Sequence, residues 1–220
     1  MGVGKLAVLG SIAEQRWGLV TAAQARESGI SPMQVSRLVA SGGLMRLKQG
    51  VYRMAGSPEL EHEDIIATWL ALGGDHAPRS PSGAPGLVVA GVDATILHGL
   101  GDFYPGEHEL IVPARKGTRL PGVRFRVRDL APEEVTFVEA LPVLTVERTV
   151  ADLVETWTET SLVTDVVRDA VLDGRLVRPD RLAVYLAPLA ARHGFPDGDG
   201  RAFTQWLYGQ AGAQPLEAAP

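Results

Sequence analysis

An arginine and an aspartate, Arg148 and Asp152, stand four residues apart in a segment with helical periodicity. On a helix this spacing places both side chains on one face, where they can form an ion pair, and Thr145 is placed to cap that helix. A catalytic carboxylate needs a second titratable group beside it, but spacing ties neither a histidine nor another carboxylate to this pair. We therefore interpret Arg148 and Asp152 as a structural clasp between a sheet and the helices.

The five histidines show no spacing typical of a metal site. They lack the i,i+4 and Cys-x-x-His patterns that bring metal ligands together. His98 ends an apolar helix, where a histidine interacts favourably with the helix C-terminus, so we assign it a structural or partner-facing role. Gly2-Val3-Gly4-Lys5 resembles the end of a phosphate loop but lacks the preceding strand and the following Ser or Thr. We expect no metal, no cofactor and no enzyme activity.

Residues 1–58 form a basic segment within an acidic chain. Seven basic and two acidic side chains give this segment a net charge of +5, while the other 14 basic and 24 acidic residues bring the whole chain to −5. Such an asymmetry is typical of a nucleic-acid-binding head that is attached to another domain.

Two stretches of this segment, Thr21–Gln24 and Ser31–Gln34, have the capping-box pattern of a hydroxyl followed three residues later by glutamine. Each predicts the start of a short helix, and Gly29 between them supplies the turn of a helix-turn-helix. Residues 44–47 and 51–54 then predict the two strands of a wing. We therefore predict a winged helix-turn-helix over residues 1–56 that binds double-stranded DNA; a helical domain with a hairpin that binds protein is the alternative.

The outer face of the second of these helices is small and polar, which suits insertion into a major groove. We expect Arg37 and Ser36 to contact base edges. The side chain of Gln34 is a weaker candidate, because its role in the helix cap competes with a contact to a base. The basic residues near the wing turn are expected to contact phosphates. The predicted DNA-binding residues are Ser31, Gln34, Ser36, Arg37, Arg46, Lys48 and Arg53.

The remaining chain predicts an α+β domain over residues 57–210, with strands first and helices after. We expect Ser57-Pro58 to cap its first helix, whose early acidic residues, Glu59–Asp64, complement the helix N-terminus. Residues 73–86 are rich in glycine and proline, so we expect a flexible surface loop, an insertion. Strands are predicted near 87–90, 109–112, 123–128, 135–138 and 141–144, and helices near 92–100, 145–157, 162–171, 179–192 and 201–210, before a disordered tail at 211–220.

The absence of cysteine excludes disulfides and zinc-finger thiolates and favours a reducing compartment. No stretch approaches the ~18 apolar residues of a membrane span, and the first apolar run, Leu6–Leu9, is too short for a signal peptide. We therefore expect a cytoplasmic protein with no membrane partner.

Three stretches of the chain carry a resemblance to a known family. They are Val20–Ala25 with Gly29–Ser31 and Leu44–Arg53; Asp93–Leu100 (DATILHGL); and Leu144–Leu153 (LTVERTVADL). Together they resemble the AbiEi family of antitoxins, the regulatory half of bacterial type IV toxin-antitoxin systems. The second stretch departs from the family pattern, because Val92-Asp93 stands where relatives have Ser-His.

The resemblance implies a transcriptional repressor whose head binds inverted repeats upstream of its own operon. It also implies that the second domain counteracts a cognate nucleotidyltransferase toxin, directly or indirectly. The chain does not itself look like the toxin, since Gly10-Ser11 is not followed by paired aspartates. A ligand-sensing winged-helix regulator is the alternative. A degenerate nuclease is disfavoured, because the strands carry no paired carboxylates followed by a lysine at metal-site spacing.

A second basic cluster lies within the acidic domain and comprises Arg115, Lys116, Arg119, Arg124, Arg126 and Arg128. The last three arginines alternate with apolar residues, so they share one face of a strand. This face is either solvated, or it is a surface that contacts the toxin or a second stretch of nucleic acid.

Overall fold

The structure, a computed structural model, describes residues 3–176 and 178–213. The chain divides into two compact units, Met1–Ala77 and Pro78–Pro220. Among the described residues, no helix has both the length and the apolar composition needed to cross a membrane.

The first unit has a winged helix-turn-helix architecture. Its three-stranded antiparallel sheet has the order β1-β3-β2, and its core is formed by apolar side chains of the helices and of this sheet, among them Leu9, Val35 and Leu44. The elements are α1 (Val3–Ala13), β1 (Leu19–Thr21), α2 (Ala22–Glu27), α3 (Pro32–Ala40), β2 (Leu44–Lys48), β3 (Val51–Met54) and α4 (Glu63–Ala71).

Both predicted capping boxes are present at the starts of α2 and α3. Gln24 Oε1 accepts a hydrogen bond from the N–H of Thr21 at 2.9 Å, and Gln34 Oε1 accepts one from the N–H of Ser31 at 2.9 Å. Gly29, between the two helices, has a φ of +75°, a conformation that glycine adopts without the steric cost of a Cβ. These local hydrogen bonds and this turn set the two helices of the motif.

Helix α4 differs from the sequence prediction in two respects. It begins at Glu63, so Ser57-Pro58 does not cap it, and its N-cap residue, His62, makes no side-chain capping bond. It also lies in the first unit, because its buried residues, Ile65–Leu70, pack on the strands of the wing. The first compact unit therefore extends beyond the boundary predicted at residue 56.

The second unit is α+β, with a mixed five-stranded sheet of order β6-β5-β4-β8-β7. The pairs β4–β8 and β5–β6 are parallel, whereas β4–β5 and β7–β8 are antiparallel. The predicted fold class, a winged head followed by an α+β domain with a small sheet and C-terminal helices, is confirmed. The elements are β4 (Val88–Val89), α5 (Gly91–His98), β5 (His108–Val112), β6 (Val123–Val127), β7 (Val135–Val138), β8 (Leu141–Leu144), α6 (Val146–Glu155), α7 (Thr160–Leu172), α8 (Pro179–Leu186) and α9 (Gly200–Ala211).

The helices α6 to α9 share one hydrophobic core, which includes Val150, Val166 and Phe203. Helices α8 and α9 approach closely at Gly200, where an added Cβ would lie 1.9 Å from the carbonyl oxygen of Ala183. Only glycine permits this approach. The sequence predicted one helix over 179–192, but after α8 the chain continues as a 3-10 helix, Ala187–His193, in which Pro188 has no N–H for an α-helical bond.

The segment 73–86 is not simply a surface insertion. It includes a short 3-10 turn, Gly74–His76, and Ala84 is completely buried in the core beside the sheet. The N–H of Ala84 donates to Ser80 Oγ at 3.1 Å, and Ser80 Oγ donates in turn to the carbonyl of Leu130 at 3.4 Å. A buried apolar side chain and these hydrogen bonds anchor the second half of the segment.

The predicted tail lies mostly beyond the described residues. Ala211 is the last residue of α9 and is 3% exposed, so the helix continues one residue past the predicted limit. Residues 214–220 of the predicted disordered tail lie outside the part of the chain that the structure describes.

Candidate nucleic-acid interface and arginine network

Helix α3 presents the side chains that we expect to face DNA. Val35 is buried in the head, whereas Ser36 and Arg37 are exposed. Arg37 Nη2 lies 3.6 Å from Met33 Sδ, and a thioether is only a weak hydrogen-bond acceptor. The guanidinium of Arg37 therefore keeps donors for a base or a phosphate.

Ser31 and Gln34, also predicted to bind DNA, are engaged at the start of α3. Their side chains satisfy each other's backbone N–H groups in the capping box described above. The capping role expected for Gln34 is present. Because Gln34 Oε1 already accepts the Ser31 N–H, a bidentate contact to a base through this side chain would compete with the cap.

The three basic residues predicted on the wing differ in their surroundings. Arg46 is exposed. Lys48 Nζ lies 2.6 Å from Asp64 Oδ1, and Arg53 Nη1 donates to Glu63 Oε1 and Oε2 at 2.8 and 3.1 Å. Both carboxylates belong to α4, so α4 partly neutralises the wing.

Sequence reasoning did not predict this pairing. The acidic residues before and within the first turn of α4 were assigned to its helix N-terminus. Glu59 also lies 3.9 Å from Arg53, and the side chain of Arg53 is only 13% exposed. The one signal available in the sequence was an acidic run that begins a few residues after a basic hairpin.

The arginines of β6 do share one face of the strand, as their alternation predicted, and that face meets carboxylates. Arg124 pairs with Glu109 on the neighbouring strand. Arg126 Nη1 donates to Asp152 Oδ1 at 2.7 Å, and Arg128, just after the strand, pairs with Glu155. These arginines therefore form ion pairs within the second unit, and the strand face is not simply solvated.

The other three residues of the second basic cluster lie in the connection between β5 and β6. Arg115, Lys116 and Arg119 are all exposed. Lys116 Nζ lies 5.9 Å from the centre of the Phe125 ring, in a cation–π contact, and partial burial lowers the pKa of Lys116. The predicted cluster therefore comprises three residues of the β5–β6 connection and three arginines of the β6 face that pair with carboxylates, and in the second group the Arg124 side chain is 51% exposed.

Asp152 is the centre of an ion-pair network that we call the arginine network. Asp152 is completely buried and accepts the N–H of Gly91 at 3.1 Å besides its bonds from Arg126. Burial lowers the pKa of Arg126, but the hydrogen bonds that Arg126 donates to Asp152 and the charges of neighbouring carboxylates outweigh this effect and raise that pKa above its ordinary value. The network consists of Glu109, Arg124, Arg126, Arg128, Glu134, Arg148, Asp152 and Glu155.

Arg148 and Asp152, which we interpret as a structural clasp, lie closer to other partners than to each other. Arg148 Nη2 is 4.0 Å from Asp152 Oδ1 but 3.0 Å from Glu155 Oε2, and Arg148 Nε is 3.2 Å from Glu134 Oε1. The Arg148 side chain is 2% exposed. Helix α6 is thus joined to β6 and to the start of α5 through Asp152, and to the turn before β7 through Arg148.

Glycine is required where α5 meets this network. Gly91 has a φ of +57°, and a Cβ at this position would lie 2.7 Å from Glu109 Oε2. Any other residue would combine an unfavourable backbone conformation with a steric clash.

Two histidines have structural partners. His98 is buried, and its Nε2 donates to the carbonyl of Leu144 at 2.7 Å. His108 Nδ1 lies 2.8 Å from Asp93 Oδ2, and both side chains are buried. Asp93 therefore pairs with a histidine on β5. This pair was not predictable from the sequence, because the residues are 15 positions apart and the packing of α5 on β5 brings them together. Within the described residues, no group of three or more His, Asp and Glu side chains could hold a metal ion.

The first unit is thus a winged helix-turn-helix with an exposed arginine, Arg37, on α3, and an α+β unit follows it in the chain. Residues 11–55 match the family model described as "Transcriptional regulator, AbiEi antitoxin". The match confirms the AbiEi resemblance over the winged head, and the family is a regulatory one and not an enzyme family.

A solved structure shares the fold. It is described as "Crystal structure of RV2827C protein from Mycobacterium tuberculosis"; the alignment covers 96% of this chain and 78% of that chain, with a TM-score of 0.56 and 17% sequence identity. At this identity the similarity shows the fold alone. No curated protein sequence matches the chain.

Proposed function

We propose that this protein is the antitoxin of a type IV toxin-antitoxin system and represses its own operon by binding inverted repeats upstream. The observation that carries the proposal is the coincidence of the AbiEi family match, residues 11–55, with the winged helix-turn-helix. The second unit then has the role of opposing a nucleotidyltransferase toxin, by direct or indirect action.

Helix α3 enters the major groove in this proposal. Arg37 and Ser36 contact base edges there, because they are exposed on the outer face of that helix. Arg46 contacts a phosphate from the wing. Lys48 and Arg53 contribute less to DNA affinity than their charge alone predicts, because each must first break an ion pair with a carboxylate of α4.

A mobility-shift titration tests the DNA-binding part of the proposal. The purified chain is titrated against the duplex upstream of its gene and against a shuffled duplex of equal composition. We expect a preference for the upstream duplex of about 10³-fold or more at moderate salt. The control variant is Arg201→Gln, which removes an exposed arginine of the second unit. Equal affinity for the two duplexes would contradict operator binding.

Co-expression tests the antitoxin part. A nucleotidyltransferase reading frame next to this gene is expressed alone, with the full chain, and with a chain that carries Arg37→Gln. We expect growth rescue by both antitoxin chains, because the variant alters DNA contacts and not the second unit. Failure of the unmodified chain to restore growth would contradict the proposal that this chain counteracts the nucleotidyltransferase. Co-purification of the two proteins distinguishes direct from indirect action.

A further inference from the structure

The second unit contains a cleft of about 350 Å³ between the arginine network and the C-terminal helices. This volume lies within the range of small-molecule sites in proteins, about 300–1,000 Å³. One wall comes from α6 and from the residues that flank β6 and β7, and the other from α8 and the 3-10 helix that follows it. The two walls differ in chemistry.

The first wall is ionic, and the excess of positive charge in the cleft comes from Arg192 on the other wall. Arg128 and Arg148 lie there with Glu134 and Glu155, and these four residues pair with one another, so their charges cancel. Arg192 lies at the edge of the cleft, is exposed, and has no ion-pair partner among the described residues. The lining therefore has three cations and two anions, a net charge of +1.

The opposite wall is apolar. It presents Leu189 and Pro188 together with the ring of Tyr185, which lies 5.6 Å from the guanidinium carbon of Arg148. Val184 is 67% exposed at the rim. A planar ring could pack against these side chains while an anionic group on the ring reaches Arg192.

We propose that this cleft binds a small organic monoanion with a planar apolar body, of the class of aromatic monocarboxylates. A carboxylate matches the net charge of the lining and the fork of donors on arginine. A phosphate monoester carries about −1.5 to −2 at pH 7, which exceeds the single uncompensated charge. Binding here gives the regulator a small-molecule ligand, whether or not its second unit also opposes a toxin.

Benzoate is the probe, titrated into the full chain and followed by calorimetry and by ligand-observed NMR at pH 7. We expect saturable binding at one site with a dissociation constant on the order of 1 mM or tighter. Benzyl alcohol, which keeps the ring without the charge, is expected to bind about tenfold more weakly or not at all. The measurement does not require DNA, so absence of benzoate binding can be distinguished from absence of operator binding.

Two variants change the wall that is formed by α8 and the 3-10 helix. Arg192→Gln removes the uncompensated charge, and Val184→Glu adds an opposing charge at the exposed rim; each is expected to weaken benzoate binding about tenfold or more. Arg201→Gln, an exposed arginine outside the cleft, is expected to leave it within roughly twofold. Absence of saturable benzoate binding, equal affinity in all three variants, or tighter binding of inorganic phosphate than of benzoate would each overturn the proposal.

Discussion

Arg53 of the wing donates from one nitrogen to both carboxylate oxygens of Glu63 on α4, at 2.8 and 3.1 Å, and each side chain is only 13% exposed. A cation held this way is not freely available to a DNA phosphate. The acidic helix that follows the wing therefore reduces the number of wing charges that are free for the DNA binding we propose.

The first prediction concerns Glu63→Gln. Removing the carboxylate charge frees Arg53 for a phosphate, so DNA affinity should rise and the slope of log K against log salt should steepen by about 0.9, the value for one additional phosphate contact. The head should lose about 1–3 kcal/mol of stability, because Arg53 loses a partly buried charged partner. Binding titrations at several salt concentrations and urea denaturation measure the two effects.

The matched control is Glu61→Gln, which removes the same charge from an exposed residue two positions away. This variant should change neither the salt slope nor the stability appreciably. If Glu61→Gln and Glu63→Gln had the same effect, general charge and not the pair with Arg53 would explain the result.

A second prediction separates Arg37 from Arg46. Arg37→Gln should weaken binding to the upstream duplex by about 1–3 kcal/mol and leave binding to random duplex nearly unchanged, because a base contact carries sequence information. Arg46→Gln should weaken binding to the two duplexes to a similar extent and lower the salt slope by about 1, because a phosphate contact carries no sequence information. Competition titrations with both duplexes give the two numbers, and a reversed pattern would exchange the assigned roles.

A third prediction concerns the buried centre of the arginine network. Asp152→Asn removes the completely buried carboxylate that pairs with Arg126, which keeps Glu109 Oε2 at 3.3 Å from its Nη2, and the Arg148 guanidinium nearby is also buried. Loss of one partner of a buried ion pair costs about 3–5 kcal/mol. Chemical denaturation of the full chain should show this loss in the transition of the second unit.

Asp165→Asn serves as the control, since it breaks an ion pair with Arg168 in which both side chains are more than a third exposed. Its effect should stay within about 0.5 kcal/mol. A similarly small effect of Asp152→Asn would show that the network does not stabilise the fold.

A fourth prediction follows from His98. Burial, aided by the charge of Arg175, lowers the pKa of His98 below 6.5 despite the opposing bond to Leu144. In the unfolded chain the imidazole takes up a proton near pH 6.5, whereas in the folded chain it does so only at lower pH. The contribution of neutral His98 to the free energy of unfolding is therefore fully present above pH 6.5 and is lost as the pH falls toward the folded-state pKa.

Urea denaturation at pH 7.5 and pH 5.5 measures this effect. His98→Gln keeps a donor for Leu144 but has no titrating group, so it should lose less stability between the two pH values than the unmodified chain. His76→Gln, at an exposed position, should retain the loss seen in the unmodified chain. If the His98 variant lost as much stability between the two pH values as the unmodified chain, His98 would not be the cause of the pH dependence.

The features that the sequence predicted well depend on near neighbours along the chain. The capping boxes at Thr21 and Ser31 were predictable because each bond joins residues three positions apart. The wing strands followed from two apolar runs around a glycine turn, and the predicted residues 44–47 and 51–54 agree closely with β2 and β3. The start of α6 was predictable from Thr145, which accepts the N–H of Arg148.

The start of α4 was predicted less well, because acidic residues after a Ser-Pro pair look like a helix beginning wherever they occur. In the structure Glu63 and Asp64 do stand in the first turn of α4, but they also pair with Arg53 and Lys48 of the wing. Charge sign alone did not indicate a partner, since a carboxylate near a helix start can interact with the helix dipole or with a cation from another element.

The sequence by itself determined the winged head, its basic charge and the exposed face of α3, because helix periodicity, caps and turns are encoded within a few residues. Only the tertiary structure decided which charges remain available. Arg53 meets Glu63 ten residues away, and Arg126 meets Asp152 across 26 residues. Such partners depend on strand order and helix packing, and burial then determines whether an arginine binds a ligand or holds the fold together.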